Sequence, residues 1–415
     1  MKRLSPDEAV RDIAAHARGT RRVFLPGGCA EPIALREAWK RNPDAAAGLL
    51  FCGVFLPGVN TFDYSSLHPD ARLDLFFLTP ALRDAWAQGR AALTPAHYFS
   101  AAQMIAAREI AAAVQHVSPP DAEGRCSFGL GADLGPMIVG RADYTIGLVN
   151  ARMPQIQDGP TIPLRAFDAI VEIDAPLAEA PAAETRAEAI AAHAGRYVFD
   201  DDVVQFGVGR LPSAIVAALT GKQRLRIFSG MVSDALLPLL DAGAIIDEPA
   251  AITTGMAIGG ARLYERLGRE RRLKMAAISH THAYAVLSRI EKLVAINACL
   301  EADLFGQINA EFAGAAQIAS IGGLGDFIRA ARAAPGGRAI VALEAESRGA
   351  SRIVPRLTSP VSVSRYDAPI VVTEHGAVDL AELDVDARAE ALTALAAPAH
   401  RDGLREAWRA MRERL

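Results

Sequence analysis

At 415 residues the chain is long enough for two or three domains, each with its own core, and 51% hydrophobic with 22% charged residues describes an ordinary soluble globular protein. Forty-four basic against 48 acidic residues leave a formal charge of −4, so no broad basic field points to nucleic acid or an anionic membrane as partner. Cys29, Cys52, Cys126 and Cys299 are scattered without a C-x-x-C spacing, which argues against a zinc site and a disulfide framework and for a reducing cytoplasm.

The N-terminus reads as an amphipathic helix started by Ser5-Pro6-Asp7-Glu8, without the apolar core of a signal peptide. No apolar run approaches the ~20 residues needed to cross a bilayer. Strands are predicted at "RRVFLPG", "GLLFCGVF", "LDLFFLT", "AAVQHVS", "YTIGLVN" and "AIVEID" in the first half. In the second half they are predicted at "VVQFGVG", "RLRIFSG", "LVAINAC", "AQIASIGG", "AIVALEA" and "PIVVTEHG". Ala-rich helices such as "PSAIVAALTGK" and "VSDALLPLLDAG" lie between them, and the alternation predicts an α/β protein with parallel sheets. The stretch 174–189, "DAPLAEAPAAETRAEA", has linker character, which places one α/β domain over 1–180 and a second over 181–415.

Strand-then-glycine turns recur at "FLPGGCAEP" (24–32), "QFGVGRLPSAI" (205–215) and "SIGGLGDFI" (320–328). Alone, Gly207-x-Gly209 is weak, since any α/β protein needs glycine where a turn takes positive φ. The functional reading is backbone amides free to approach an anion or oxyanion at a helix N-terminus. A further turn is read at "RIFSGMVSD" (226–234), where a buried strand gives way to a helix at Gly230.

Several blocks in order carry a resemblance. "HVSPPDAEGRCSFG" (116–129) and "VNARMPQIQDG" (149–159), then "VQFGVGRLPSAI", "FSGMVSDALLPLLDAGAI", "LVAINACLEADLFGQINAE", "IGGLGDFIRAA", "SRIVP" and "VVTEHGAVDL", resemble the acetyl-CoA hydrolase/transferase family, which includes 4-hydroxybutyrate CoA-transferases. The resemblance runs over nearly the whole chain. It implies two related open α/β domains of the CoA-transferase type, an acyl-CoA as substrate or ligand, no tightly bound cofactor, and a homodimer. In the family a glutamate attacks the acyl-CoA and then carries CoA as a glutamyl thioester, and backbone amides of the glycine turns form the oxyanion hole. Those turns match Gly207-Val208-Gly209 and Gly322-Gly323 here.

The nucleophile departs from the pattern. The family's block reads Ser-Glu-Met-(Ile/Val)-Ser-Asp, and here the residues are Ser229, Gly230, Met231, Val232, Ser233 and Asp234, so Gly230 stands where the glutamate is expected. Where the family has Asp-Tyr-Val-Asn-x-Pro, this chain has Ser279-His280-Thr281-His282-Ala283-Tyr284. His280 and His282 read either as surface or interface histidines or as a general base titrating near ~6.5. On a strand their rings would share a face, but no third metal ligand is apparent and no metal is expected. Ser229 and Ser233 read as cap and turn residues, Asp234 as a first-turn acid, and Glu311 and Glu374 as structural. The family's His-Pro near the C-terminus is Ala397-Pro398 here and reads as a structural change.

The expectation is therefore an acyl-CoA-processing enzyme without the glutamyl-thioester route, hydrolysing either a thioester or the C–C bond of a β-oxoacyl-CoA. Two alternatives stand beside it: an inactive acyl-CoA-binding homologue or subunit, and CoA transfer by a different carboxylate.

Overall fold

In the computed structural model, residues 1–17, 21–181 and 187–414 are described, so the central part of the linker read at 174–189, residues 182–186, lies outside them. The first helix, Pro6–His16, opens as its sequence demands: Glu8 N–H donates to Ser5 Oγ at 3.3 Å and Ser5 N–H donates to Glu8 Oε2 at 2.8 Å. Its Ala9, Val10 and Ile13 face inward.

The chain forms two compact units, and they do not follow chain order. The first takes the residues up to the linker together with Gly230–Val232 and Glu248–Thr281. Among the described residues, ten strands precede the linker: β1 (Lys2–Arg3), β2 (Arg22–Phe24), β3 (Leu50–Gly53), β4 (Arg72–Leu75), β5 (Ala91–Leu93), β6 (Ile110–Val117), β7 (Arg125–Ser127), β8 (Ala142–Asn150), β9 (Thr161–Pro163) and β10 (Ala169–Ile173). Eight of them form one sheet in the order β1-β10-β8-β6-β2-β3-β4-β5, with parallel pairing throughout. All eight residues of β6 are buried, as expected for a strand covered on both faces. Trp39, Phe51, Phe55 and Tyr64 build the core on one side. The short strands β7 and β9 form an antiparallel pair.

Two further strands of this unit, β13 (Ile252–Ile258) and β14 (Leu273–Met275), pair in parallel and, like β1, β5, β7 and β9, lie outside the strands predicted from the sequence. β13 is buried along its whole length. It meets the earlier part of the unit through the Gly131–Met256 bridge and the Ala257 N–H to Leu130 carbonyl bond of 2.9 Å.

The second unit holds β11 (Val203–Phe206), most of β12 (Arg226–Ser233), β15 (Leu293–Ala298) and the strands Arg338–Ala342 and Ile370–Thr373. β12, β11, β15, Arg338–Ala342 and Ile370–Thr373 pair in that order, all parallel, and the antiparallel strand Gly376–Asp379 closes the edge. The helices Arg210–Ala217 and Leu324–Ala333 both pack on β15. Among the described residues, no helix is long and apolar enough to cross a membrane.

Three local expectations are corrected. The chain does not turn at Gly230: β12 continues through it to Ser233, and the helix Leu236–Asp241 begins only after Ala235. The near-alternating burial of β12 shows why, since Ser229 and Gly230 are enclosed as strand residues despite lacking apolar side chains. "AQIASIGG" contributes only the two-residue strand Ala316–Gln317, paired with Phe312–Ala313. Ile278–Thr281 is a helical turn, so His280 and His282 do not alternate along a strand.

Candidate active site

In the second unit, β11 ends at Phe206 and delivers Gly207-Val208-Gly209 to the N-terminus of the helix Arg210–Ala217. Ligands of parallel α/β sheets gather at such carboxyl ends of strands. A Cβ on Gly207 would lie 2.6 Å from Asn297 Oδ1, so only glycine fits against that side chain, whose Nδ2 donates to Gln205 Oε1 at 3.0 Å. Gly209 takes φ +119°, a conformation that favours glycine. Val208 between them is half exposed.

Gly322 and Gly323 sit at the N-terminus of the helix Leu324–Ala333, with φ +58° at Gly322. A Cβ on Gly323 would meet His282 Nε2 at 2.8 Å, and the His282 ring packs at 4.9 Å on Phe327. The structure therefore brings His282 and Gly323 together. Burial pushes the His282 ring down to about 3, so it is neutral at pH 7 and a weak base. His280 lies in the first unit, half-buried. Its ring is held below the usual histidine range by burial and then by the Lys274 charge.

Gly230 is buried within β12, and residues 230–232 belong to the first unit. Its carbonyl oxygen lies 2.9 Å from the point where a Cβ on Gly255 would sit. Asp133 Oδ1 lies 3.3 Å from that same point. Gly255, in the middle of β13, thus leaves room for a carboxyl group beside the backbone of residue 230. Asp133 was not singled out in the sequence. Its backbone is pinned on both sides, with its N–H donating to the Gly255 carbonyl and its carbonyl accepting from Ile278 N–H, each at 2.9 Å. The Tyr98 hydroxyl donates to Asp133 Oδ2, whereas the buried Oδ1 has no hydrogen-bond partner. Burial pushes this carboxyl up to about 7, against the opposing effect of Tyr98.

The two motif blocks of the first unit meet in space. Asn150 Nδ2 donates to His116 Nε2 at 3.0 Å, and Ile156 N–H donates to Ser127 Oγ at 3.3 Å. These bonds tie the two blocks to each other.

Of the remaining candidates, Ser229, Glu311 and Glu374 have structural partners. Ser229 Oγ donates to the Phe206 carbonyl at 3.2 Å inside the sheet, so it is no helix cap. Ser233 is the last strand residue, and Asp234 precedes the helix Leu236–Asp241 without belonging to its first turn. Glu311 Oε2 accepts from Ser362 Oγ at 2.8 Å, and Glu374 Oε2 accepts from Ala345 N–H at 2.9 Å. Ala397 precedes the short helical turn Pro398–His400. All four cysteines are buried, and burial raises each thiol above its ordinary range, so they are unreactive at neutral pH. Among the described residues, no group of three or more His, Cys, Asp or Glu side chains is placed to hold a metal.

Parallel sheets flanked by helices make this an α/β protein, and its fold is shared with a solved CoA-transferase structure. Residues 2–179 match the acetyl-CoA hydrolase/transferase N-terminal domain and residues 259–408 the acetyl-CoA hydrolase/transferase C-terminal domain. The chain belongs to the acetyl-CoA hydrolase/transferase family, which acts on CoA thioesters. It is 30% identical to the 4-hydroxybutyrate coenzyme A transferase of Clostridium kluyveri over 97% of this chain and 96% of that one. The crystal structure of RipA from Yersinia pestis is similar with a TM-score of 0.87 at 28% identity, covering 99% of this chain and 97% of that chain. The 4-hydroxybutyrate CoA-transferase of Porphyromonas gingivalis is similar with a TM-score of 0.80 at 26% identity, covering 100% and 98%.

Proposed function

We propose that this protein is an acyl-CoA-processing enzyme that has left the glutamyl-thioester route and hydrolyses its substrate, at the thioester or at the C–C bond of a β-oxoacyl-CoA. The observation that carries the reading is Gly230, flanked by Ser229 and by Met231-Val232-Ser233-Asp234 in the family's order, where the pattern calls for the nucleophilic glutamate. The glycine turns at 207–209 and 322–323 support it, since amide donors at helix N-termini serve any reaction that builds negative charge on a carbonyl oxygen. Neither hydrolysis needs a covalent enzyme thioester.

In this reading the base is a group of the first unit, near Gly230. Both His280 and Asp133 belong to that unit, whereas the ring of His282 is too weak a base and is packed against Phe327. The absence of a side chain at residue 230 favours a larger acyl group. A cytoplasmic homodimer completes the proposal.

The test is release of free thiol from a panel of acyl-CoAs, and of acetyl-CoA with a carboxylic acid from β-oxoacyl-CoAs, with and without carboxylate acceptors, in the native protein and in Gly230→Glu. One of these two hydrolyses is expected from the native protein without an acceptor: free thiol from an acyl-CoA, or acetyl-CoA from a β-oxoacyl-CoA. Silence of the native protein, with CoA transfer appearing only in Gly230→Glu, would replace the reading by that of an acyl-CoA-binding homologue. Efficient CoA exchange with free acids in the native protein would replace it by transfer through another carboxylate.

A further inference from the structure

We propose, resting on the hydrolytic reading above, that Asp133 is the general base of the reaction, its Oδ1 deprotonating a water in the small cavity at Asp133 while Tyr98 holds Oδ2.

Four features of the first unit carry this. Asp133 is 6% exposed, and Oδ1 is its one side-chain oxygen without a hydrogen-bond partner, an arrangement that costs free energy unless something is meant to occupy it. Every other polar atom of the residue is fixed: the amide by the Gly255 carbonyl, the carbonyl by Ile278 N–H, and Oδ2 by the Tyr98 hydroxyl. A cavity of about 10 Å³ opens at Asp133, lined also by Phe24, Gly27, Val54, Gly131 and Met256. That is room for about one water molecule. Finally, Oδ1 and the Gly230 carbonyl oxygen lie 3.3 and 2.9 Å from one point above Gly255, so both oxygens border the space that a side chain at residue 255 would fill.

The surroundings suit proton transfer at neutral pH. Burial pushes Asp133 up to about 7, near the value at which a base is most effective there. The titratable groups facing it are the Tyr98 hydroxyl and the Cys29 thiol, and burial raises both, so neither carries charge that would compete for the proton.

The reaction balances without a further reactant. One water O–H bond breaks, its proton going to Oδ1, and the hydroxide oxygen bonds to the thioester carbonyl carbon. The tetrahedral intermediate collapses with breakage of the C–S bond. Asp133 then returns its proton to the departing sulfur, releasing the carboxylic acid and free CoA thiol and restoring the carboxylate.

The experiment measures the pH profile of thiol release in the native protein, Asp133→Asn and Tyr98→Phe, with acyl-CoA binding followed by calorimetry. Loss of a general base predicts a fall in kcat of about 100-fold or more in Asp133→Asn, with acyl-CoA binding kept within about threefold. Tyr98→Phe removes a hydrogen bond that stabilises the ionised carboxyl, so the acidic limb of its profile moves to higher pH. This second variant keeps the test alive if Asp133→Asn does not fold. An unmoved limb in Tyr98→Phe, full activity in Asp133→Asn, or an enzyme-bound CoA thioester trapped at Asp133 by hydroxylamine would each overturn the proposal while leaving turnover itself intact. Failure of the native protein to hydrolyse any of these substrates, at the thioester or at the C–C bond, would instead overturn the hydrolytic reading, and this assignment with it.

Discussion

Asn150 holds His116 in a single tautomer: its Nδ2 donates to the ring's Nε2 at 3.0 Å, while the ring's Nδ1–H donates to the Ala30 carbonyl at 3.1 Å. Both nitrogens are used in the neutral form, and burial pushes the ring down to about 4. Unfolding returns it to its ordinary value near ~6.5. As pH falls below that value the unfolded chain takes up a proton that the folded chain refuses, so stability is lost with acid until about pH 4. Urea denaturation between pH 7.5 and 4.5 should show this, and His116→Gln should reduce the acid-side slope by up to ~1.4 kcal/mol per pH unit. An unchanged slope would mean that the buried ring accepts a proton.

Asp133 has the opposite sign. Its folded value of about 7 lies above the ordinary 3.8, so the folded chain keeps a proton that the unfolded chain loses as pH rises. The stability it contributes is complete below about pH 4 and is lost by pH 7. Asp133→Asn should therefore match the native protein near pH 4 and exceed it by a few kcal/mol, at most ~4, at pH 8. Equal differences at both pH values would show an ordinary surface-like carboxyl.

Gly323 and His282 form a size-matched pair. With Nε2 2.8 Å from the added methyl, Gly323→Ala should cost ~1–3 kcal/mol in chemical denaturation. Combining it with His282→Ala should recover part of that loss, and strictly additive effects would show that the contact does not set the cost.

Gly255→Ala is a sharper probe. Its Cβ would press at 2.9 Å on the backbone oxygen of Gly230, which cannot swing aside as a side chain would. A lower thermal midpoint is expected, together with loss of thiol release from acyl-CoA. Unaltered turnover in the folded variant would dissociate the space over Gly255 from the chemistry.

Much of the fold is legible because parallel strands buried on both faces advertise themselves as apolar runs. β6 and β8 are examples, and the capping box at Ser5 fixes the first helix to the residue. β13 escaped because Thr253-Thr254-Gly255 interrupts its run, although all seven of its residues are buried. β12 continues past Gly230 for a related reason: neighbours enclose Ser229 and Gly230, and nothing in those residue types signals it. "AQIASIGG" failed in the other direction, its Ile and Ala content mimicking a strand that tertiary contacts do not complete. Asp133 could not be found by pattern. Flanked by Gly131 and Gly135 it reads as a turn residue, and its chemistry comes from Tyr98, 35 positions away, and from Gly255, still farther along the chain.

The way Glu248–Thr281 returns to the first unit has a consequence for anyone dividing this gene. The stretch 182–186 looks like a place to cut, yet what lies before it is an unfinished object. Ala180 N–H donates to the Gly259 carbonyl at 3.1 Å, the Tyr264 hydroxyl donates to the Ala178 carbonyl at 2.6 Å, and Met275 N–H donates to the Asp158 carbonyl at 2.8 Å. A fragment ending at the linker would lose all three, along with the wholly buried strand Ile252–Ile258, and would present raw apolar surface to water. A nick at the same place would leave two pieces stitched together. The halves are thus poor currency for recombination: exchanging either one with a relative swaps part of the other's interior as well.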